Sequence, residues 1–405
     1  MLLLFCIYFN LVLSYAAGLI PFRYNFRRRR FESCKPFVPC ATVLLLLFAG
    51  VQYKNGRLPE HMKIPKVGMQ DIIHAAENLV LNGNCVLIAV QQLLFLETYR
   101  QLLTDLLANA RTFARPGTVG RFKQVQLLAQ LVLLPCAVYV LHTFVYLTLV
   151  RGTDINIVHA ILFMVSLIPN MAHVNNFYAL LFVQRLTLGE INDKLANLWT
   201  ICIRHGPTNQ QPADEVLPVF RRLQLHLQEY QQCAGTLRKI VQYYSLSVAL
   251  YLLILFQELM SKFFYQFTHF YTLSLGNHSP HELEAMGTLM ILVYGLNTAQ
   301  LISNCYAIFE GSQRIKSAVH RLSLIPGQDQ YFQATVKTFL LSLNHSVLKI
   351  NIAGLFTMDF ELLTGMITAI SNFVVLLMQF HIEYSKSKLS YWHGSNSSKP
   401  YKHAQ

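Results

Sequence analysis

Seven long windows of this chain contain no Asp, Glu, Lys or Arg at all. They cover residues 36–53, 78–96, 124–150, 155–184, 240–257, 285–309 and 362–380. A helix crosses the hydrocarbon core of a bilayer with about 20 apolar residues. Backbone N–H and C=O groups find no water there, so spans of this kind are helical. Composition points the same way. Hydrophobic residues make up 53% and charged residues 13% of the chain, against about 25% charged in ordinary soluble domains. The fold class read from this pattern is an all-α membrane protein with seven transmembrane helices. A typical cytosolic enzyme, a secreted disulfide scaffold and a disordered chain are excluded.

The cations give the orientation, because Lys and Arg gather in cytoplasmic loops. Most of the 33 Lys and Arg fall on one side of the seven windows. Arg23, Arg27, Arg28, Arg29, Arg30 and Lys35 precede the first window, and Arg100, Arg111, Arg115, Arg121 and Lys123 follow the second. Arg185, Lys194, Arg204, Arg221, Arg222, Arg238 and Lys239 follow the fourth, and Arg314, Lys316, Arg321, Lys337 and Lys349 follow the sixth. The N-terminus is therefore expected in the cytoplasm and the C-terminus outside, the reverse of a G-protein-coupled receptor. The net charge of +13 needs no nucleic acid. It reflects topology, with attraction to anionic lipid as a second effect.

An eighth apolar stretch, residues 1–22, opens the chain. Cations follow it instead of preceding it, unlike a signal peptide. It reads as an uncleaved segment in or near the inner interface. Apolar residues recur at helical spacing after the fourth window (Leu188, Ile191, Leu195, Leu198) and before the fifth (Val216, Val219, Phe220, Leu223). Both spans are thus expected to continue as cytoplasmic helices. Residues 330–348 form another amphipathic helix, with Phe332, Val336, Phe339, Leu340, Leu343 and Val347 on its apolar side. Residues 207–212 and Pro326-Gly327 are turns, and the polar tail after His381 reads as disordered.

No phosphate-cradling glycine loop, zinc-type His pair or nucleophile elbow is present, so neither an enzyme nor a cofactor is expected. Every cysteine falls in a span or an inner segment, which leaves no disulfide framework. Two sequons, at Asn277 and Asn396, lie on expected outer segments.

The segment Ala353-Gly354-Leu355-Phe356 and the later run Asn372-Phe373-Val374-Val375-Leu376-Leu377-Met378-Gln379-Phe380 resemble the insect gustatory receptor family. That family ends in Thr-Tyr, five hydrophobic residues and Gln-Phe, preceded by Gly-Leu-Phe. Asn372 and Phe373 stand where the family has Thr and Tyr. Gly18-Leu19-Ile20-Pro21-Phe22-Arg23 is similar to the family's segment before the first span.

The resemblance implies a ligand-gated, non-selective cation channel of four subunits, identical or mixed with other gustatory receptors, in the plasma membrane of chemosensory neurons. Its ligand is a small-molecule tastant, and Val374, standing where sugar-sensing members tend to carry an acid, points to a bitter-type or orphan member and away from a sugar receptor. The implied organisation is a cytoplasmic segment 1–35, spans and cytoplasmic helical loops (185–239) within 36–309, an anchor helix 310–358, a pore helix 359–381 and an extracellular tail 382–405. Phe373, Leu376, Gln379 and Phe380 are the implied pore residues. A ligand pocket in the outer bundle is implied, with Glu77, His142, Tyr146, His159, Gln257, Glu258, Tyr294 and Asn297 as candidates. Among these Glu258 stands out, since a carboxylate in a span is costly, although Lys262 one turn on is a ready partner. The competing readings are an insect odorant receptor and a transporter. A transporter would carry paired broken helices, and Pro135 and Pro169 are not arranged that way.

Overall fold

The computed structural model describes residues 1–33, 69–115, 119–150, 157–204, 213–274, 281–325, 330–345 and 347–396, with a few isolated positions between. The first expected span, the turns at 207–212 and 326–327, and Asn277 lie outside these. The side chains of Glu77, Tyr146, His159 and Asn396 are likewise not among those described.

The chain opens with α1 (Leu2–Ala16) and a hairpin of β1 (Phe22–Asn25) and β2 (Arg30–Ser33). Two helices follow, α2 (Met69–Leu94) and α3 (Leu96–Phe113). Next come α4 (Arg121–Leu128), a π-helical turn (Ala129–Leu133) and α5 (Leu134–Val150) as one rod. The long helices are α6 (Ile157–Arg204), α7 (Ala213–Ser274) and α8 (His281–Ser323). Then come α9 (Gln330–His345), a small hairpin of β3 (Asn351–Ile352) and β4 (Phe356–Thr357), and α10 (Phe360–Asn396). Among the described residues four stretches are long and apolar enough to cross a membrane: Arg121–Phe144, Val219–Tyr271, Ala285–Ser323 and Phe360–Glu383. A fifth results if Leu79–Leu94 and Leu96–Phe113 count as one span. The protein is an all-α membrane protein, with two small hairpins that the apolar windows did not foretell.

The second window does not run straight. Its helix bends by 92° between α2 and α3. Tyr243 of α7 holds the bend, stacked on Tyr99 at 5.0 Å between ring centroids and meeting Phe95 edge-on at 6.4 Å. Gln92 Nε2 adds a hydrogen bond to the Leu19 carbonyl at 2.8 Å. Beyond the bend α3 is amphipathic: Tyr99, Leu102, Leu103, Leu106, Leu107 and Ala110 are buried at helical spacing.

The expected continuations of the fourth and fifth spans are present in α6 and α7, each an unbroken helix. Lys194 of α6 ties them together, 3.0 Å from Glu229 of α7 and 3.1 Å from Glu190. On α9 the expected apolar face is buried at Phe332, Val336, Phe339 and Leu343, and it packs on α8 and α7. The tail is a correction. The sequence reads as disordered after His381, but the backbone of α10 continues as helix to Asn396.

Neither proline divides its helix. Pro169 sits inside α6. Pro135 cannot donate to the residue-131 carbonyl and its ring crowds that group. The π turn just before it widens the helix there, and Gln130 and Leu131 of that turn are buried.

The N-terminal helix belongs to the bundle. It packs on α6, α4, α3 and the π turn, with Leu3, Cys6, Ile7, Asn10, Leu11 and Ser14 buried. The Arg27–Arg30 run forms the exposed tip of the first hairpin. There Asn25 Oδ1 accepts from the backbone N–H groups of Arg27 and Arg28 at 3.0 and 3.1 Å, the turn-forming use of an Asn side chain. The Asn25 amide also hydrogen-bonds Glu32 at 3.1 Å, and with Arg28 and Arg30 it holds the Glu32 carboxyl below its usual range. Arg100 Nη1 fastens the hairpin to α3 through the Phe31 carbonyl at 2.8 Å.

Candidate functional site

The Gly-Leu-Phe segment builds the entry to the last helix. Ala353 and Gly354 take φ of +53° and +71°, and the Leu355 N–H closes the turn on the Ile352 carbonyl at 2.9 Å. Two successive positive φ values make a tight hairpin turn, which explains a glycine at 354. The Ala353 N–H donates to Ser245 Oγ, pinning the hairpin to α7. Asp359 then caps α10, its Oδ1 accepting from the Leu362 N–H at 3.1 Å.

Along α10 one face meets the protomer and the rest is bare. Ile370 and Val374 are its buried hydrophobics. His381 meets Phe264 and Tyr271 of α7 edge-on at 6.1 and 6.4 Å. Only 11% of the α10 apolar window is buried, against 44–50% for the other three long spans. Val375 is 57% exposed, Leu376 45% and Phe380 54%. Thr364, Thr368, Ser371, Asn372 and Gln379 are exposed as well. Three of the hydroxyls turn back on their own helix, Thr364 to Phe360 O, Thr368 to Thr364 O and Ser371 to Ile367 O, each at 2.9 Å. Of the four implied pore residues, Leu376, Gln379 and Phe380 lie on the bare surface. Phe373 is also 48% exposed but leans on α7, edge-on to Phe256 at 6.2 Å. The replacement of the family's tyrosine by phenylalanine suits this apolar contact.

A second group of candidates comes together inside the bundle. His142 of α5 and Tyr294 of α8 meet at 3.2 Å between Nε2 and Oη, rings edge-on. His142 Nδ1 lies 3.0 Å from the Val138 carbonyl, which can only accept. In the neutral ring Nδ1 therefore carries the proton, and Nε2 accepts from the Tyr294 hydroxyl. One turn on, Asn297 Oδ1 accepts from Gln130 Nε2 at 2.6 Å, and Asn297 Nδ2 donates to Tyr251 Oη at 2.8 Å. Glu258 is 3.3 Å from Lys262, the intrahelical partner its spacing suggested, and Gln257 is half-buried beside it. Gln130 and Tyr251 escaped the sequence reading. Gln130 had one signal, a polar side chain one turn before Pro135.

A further buried polar network ties α1 to the bundle. Asn10 Nδ2 donates to Asn176 Oδ1 at 2.6 Å, and Asn176 Nδ2 donates to Ser14 Oγ at 3.0 Å. Nearby, His173 Nε2 reaches Ser247 Oγ at 2.9 Å. The Ser247 proton goes to the Tyr244 carbonyl at 3.0 Å, so the histidine donates. None of these residues stood out in the sequence, because Asn and Ser inside a span look alike whether they face a partner or not.

The fold can be set beside known proteins. The insect olfactory receptor OR5 from Machilis hrabei in complex with eugenol aligns with a TM-score of 0.61 at 12% identity, over 93% of this chain and 98% of that one. A second structure of the same receptor aligns with a TM-score of 0.61 at 11% identity, over 91% of this chain and 96% of that one. At such identity the likeness is one of fold. No curated protein matches the sequence. A family model described as 7tm Chemosensory receptor matches residues 7–384. With nearly its whole length inside that match, the chain belongs to the 7tm chemosensory receptor family.

Proposed function

We propose that this receptor is a ligand-gated, non-selective cation channel of gustatory type, assembled from four subunits whose α10 helices line a common pore. The N-terminus lies in the cytoplasm and the C-terminus outside, as the cation distribution implies. Sequons at Asn277 and Asn396 then face the extracellular side. The ligand is a small tastant, of bitter rather than sugar type because Val374 takes the place of an acid. It binds in the outer bundle, in the neighbourhood of His142, Tyr294, Asn297 and Glu258.

The bareness of α10 carries this reading. A spanning helix that faced lipid on three sides would place Asn372 and Gln379 in hydrocarbon, where polar side chains are costly and normally face the bundle or water. A lone helix with polar groups on its free surface is one wall of something larger. Hydrophobic side chains such as Leu376 and Phe380 can close a pore by dewetting, and an amide such as Gln379 can coordinate a passing ion.

The test is expression of the full chain, alone and with gustatory co-receptors, under voltage clamp with a tastant panel. Ligand-evoked cation current is the expected result, with an epitope tag accessible at the C-terminus alone in intact cells. An exposed N-terminal tag or a current-free receptor at the cell surface sinks the proposal. The odorant reading has its own support in the alignment with OR5, whose described partner is eugenol. Responses confined to volatile ligands would favour it.

A further inference from the structure

We propose that Glu361 sets the charge selectivity of conduction, four copies forming a carboxylate ring where the α10 helices begin. The inference rests on the four-subunit channel reading and adds to it the residue that chooses cations. Successive residues on a helix turn by 100°, so steps of seven, four and seven place Glu361, Thr368, Asn372 and Gln379 along one line. Leu363, Ile370, Val374 and His381 form the opposite line, which packs on the protomer. Glu361 thus heads the polar stripe; it is exposed, at the rim of a cavity beside α8.

Acids in a first helical turn often do no more than stabilise the helix. Here Asp359 already caps α10 through the Leu362 N–H. Among the described residues no ion pair to Glu361 is formed. Lys349 shares with it a cavity of about 330 Å³ beside α8, but its ammonium lies over the Phe309 ring at 5.2 Å, on the protomer side. From Ile350 to Ser385 the chain has no Lys or Arg, so no Lys or Arg on α10 before Lys386 offsets the carboxylate.

The helix ends bring their own charge to this place. Each helix N-terminus carries about half a positive charge. Four of them around an axis sum to about +2, a barrier to cations. The four Asp359 caps counter that charge, and four Glu361 carboxylates add about −4 more on the exposed stripe, leaving the mouth negative. Rings of Asp or Glu attract cations into pores in this way, and they act by raising the local ion concentration, an effect that salt screens.

The experiment is single-channel recording of the full-length protein in excised patches, with Glu361→Gln, Glu361→Lys and Glu361→Asp compared. Glu361→Gln is expected to lower conductance about threefold near 0.01 M salt, where the Debye length is about 30 Å, and to leave it unchanged near 1 M, where it is about 3 Å. Its reversal potential in a KCl gradient should move toward zero. Glu361→Lys should move it further, toward anion preference, and Glu361→Asp should restore the wild-type values. A Glu361→Gln channel with wild-type reversal potential and conductance at both salt levels overturns the inference. So does a variant that only lowers surface labelling while its single channels are unaltered, since that is a helix-stability role. A wild-type receptor at the surface without any current overturns the channel reading itself, and this inference with it.

Discussion

Two helices of this receptor treat their polar residues in opposite ways. From Pro169 to Gln184 every residue of α6 is buried. Its Asn170, His173 and Asn176 all have hydrogen-bond partners on neighbouring helices, Asn84, Ser247 and Asn10. On α10 the polar residues Thr368, Asn372 and Gln379 are exposed, and Ile370 and Val374 are the buried hydrophobics. In α6 polar groups hold one protomer together. In α10 the protomer leaves them uncovered. Polar residues inside a membrane protein therefore need two accounts, and burial decides which applies.

The contrast breaks most visibly at Asn176. Interhelical hydrogen bonds in membrane proteins average about 0.6 kcal/mol each, and Asn176 bonds to Asn10, Ser14 and Tyr99. Asn176→Leu is expected to cost about 2 kcal/mol, through those three bonds and the amide stranded on Asn10. Thermal stability of the detergent-solubilised receptor, followed by size-exclusion chromatography, measures it. A combined Asn10→Leu and Asn176→Leu receptor should lose less than the two single losses added together, because the pair shares one bond. Strict additivity would mean that α1 and α6 are not coupled.

Asn372→Leu asks the opposite question of α10. No folding partner is lost, so surface expression should match wild type. If the residue faces a water-filled pore, a leucine there favours dewetting, and single-channel conductance should fall about tenfold. If it faces lipid, the same change removes a polar group from hydrocarbon, and the receptor gains stability with current intact. That second outcome would dissolve the contrast between the two helices.

How much of this was open to sequence reading follows from the same physics. Spans were legible because charge is nearly absent from them, and the long continuations of α6 and α7 because helical spacing persists beyond the apolar windows. The 92° bend between α2 and α3 left no proline or glycine to mark it. The ring packed against it is Tyr243, far away in the chain. Intrahelical pairs such as Glu258 and Lys262 could be read from spacing. Gln130 with Asn297, or Asn10 with Asn176, could not, since each depends on how two helices are set against each other. The line from Glu361 to Gln379 was present in the sequence all along. Only the burial pattern of α10 says which line of that helix is free.

The smallest expected effect lies at Tyr294, which stands between the two regimes. Like the residues of α6 it is buried and paired, yet it belongs to the group proposed to receive ligand. The Tyr294 hydroxyl donates to His142 Nε2, so Tyr294→Phe removes one donor and leaves ring packing in place. One membrane-buried hydrogen bond of about 0.6 kcal/mol corresponds to about threefold in a binding constant, since 1.4 kcal/mol is tenfold. The half-maximal agonist concentration should therefore rise about threefold for a hydrogen-bonding tastant, with single-channel conductance unchanged. If thermal stability falls while the agonist response stays the same, the pair is a structural clasp of the α6 kind. A shift in agonist response at constant stability makes the outer cluster a third regime, in which polar side chains pair with one another until a ligand competes for them.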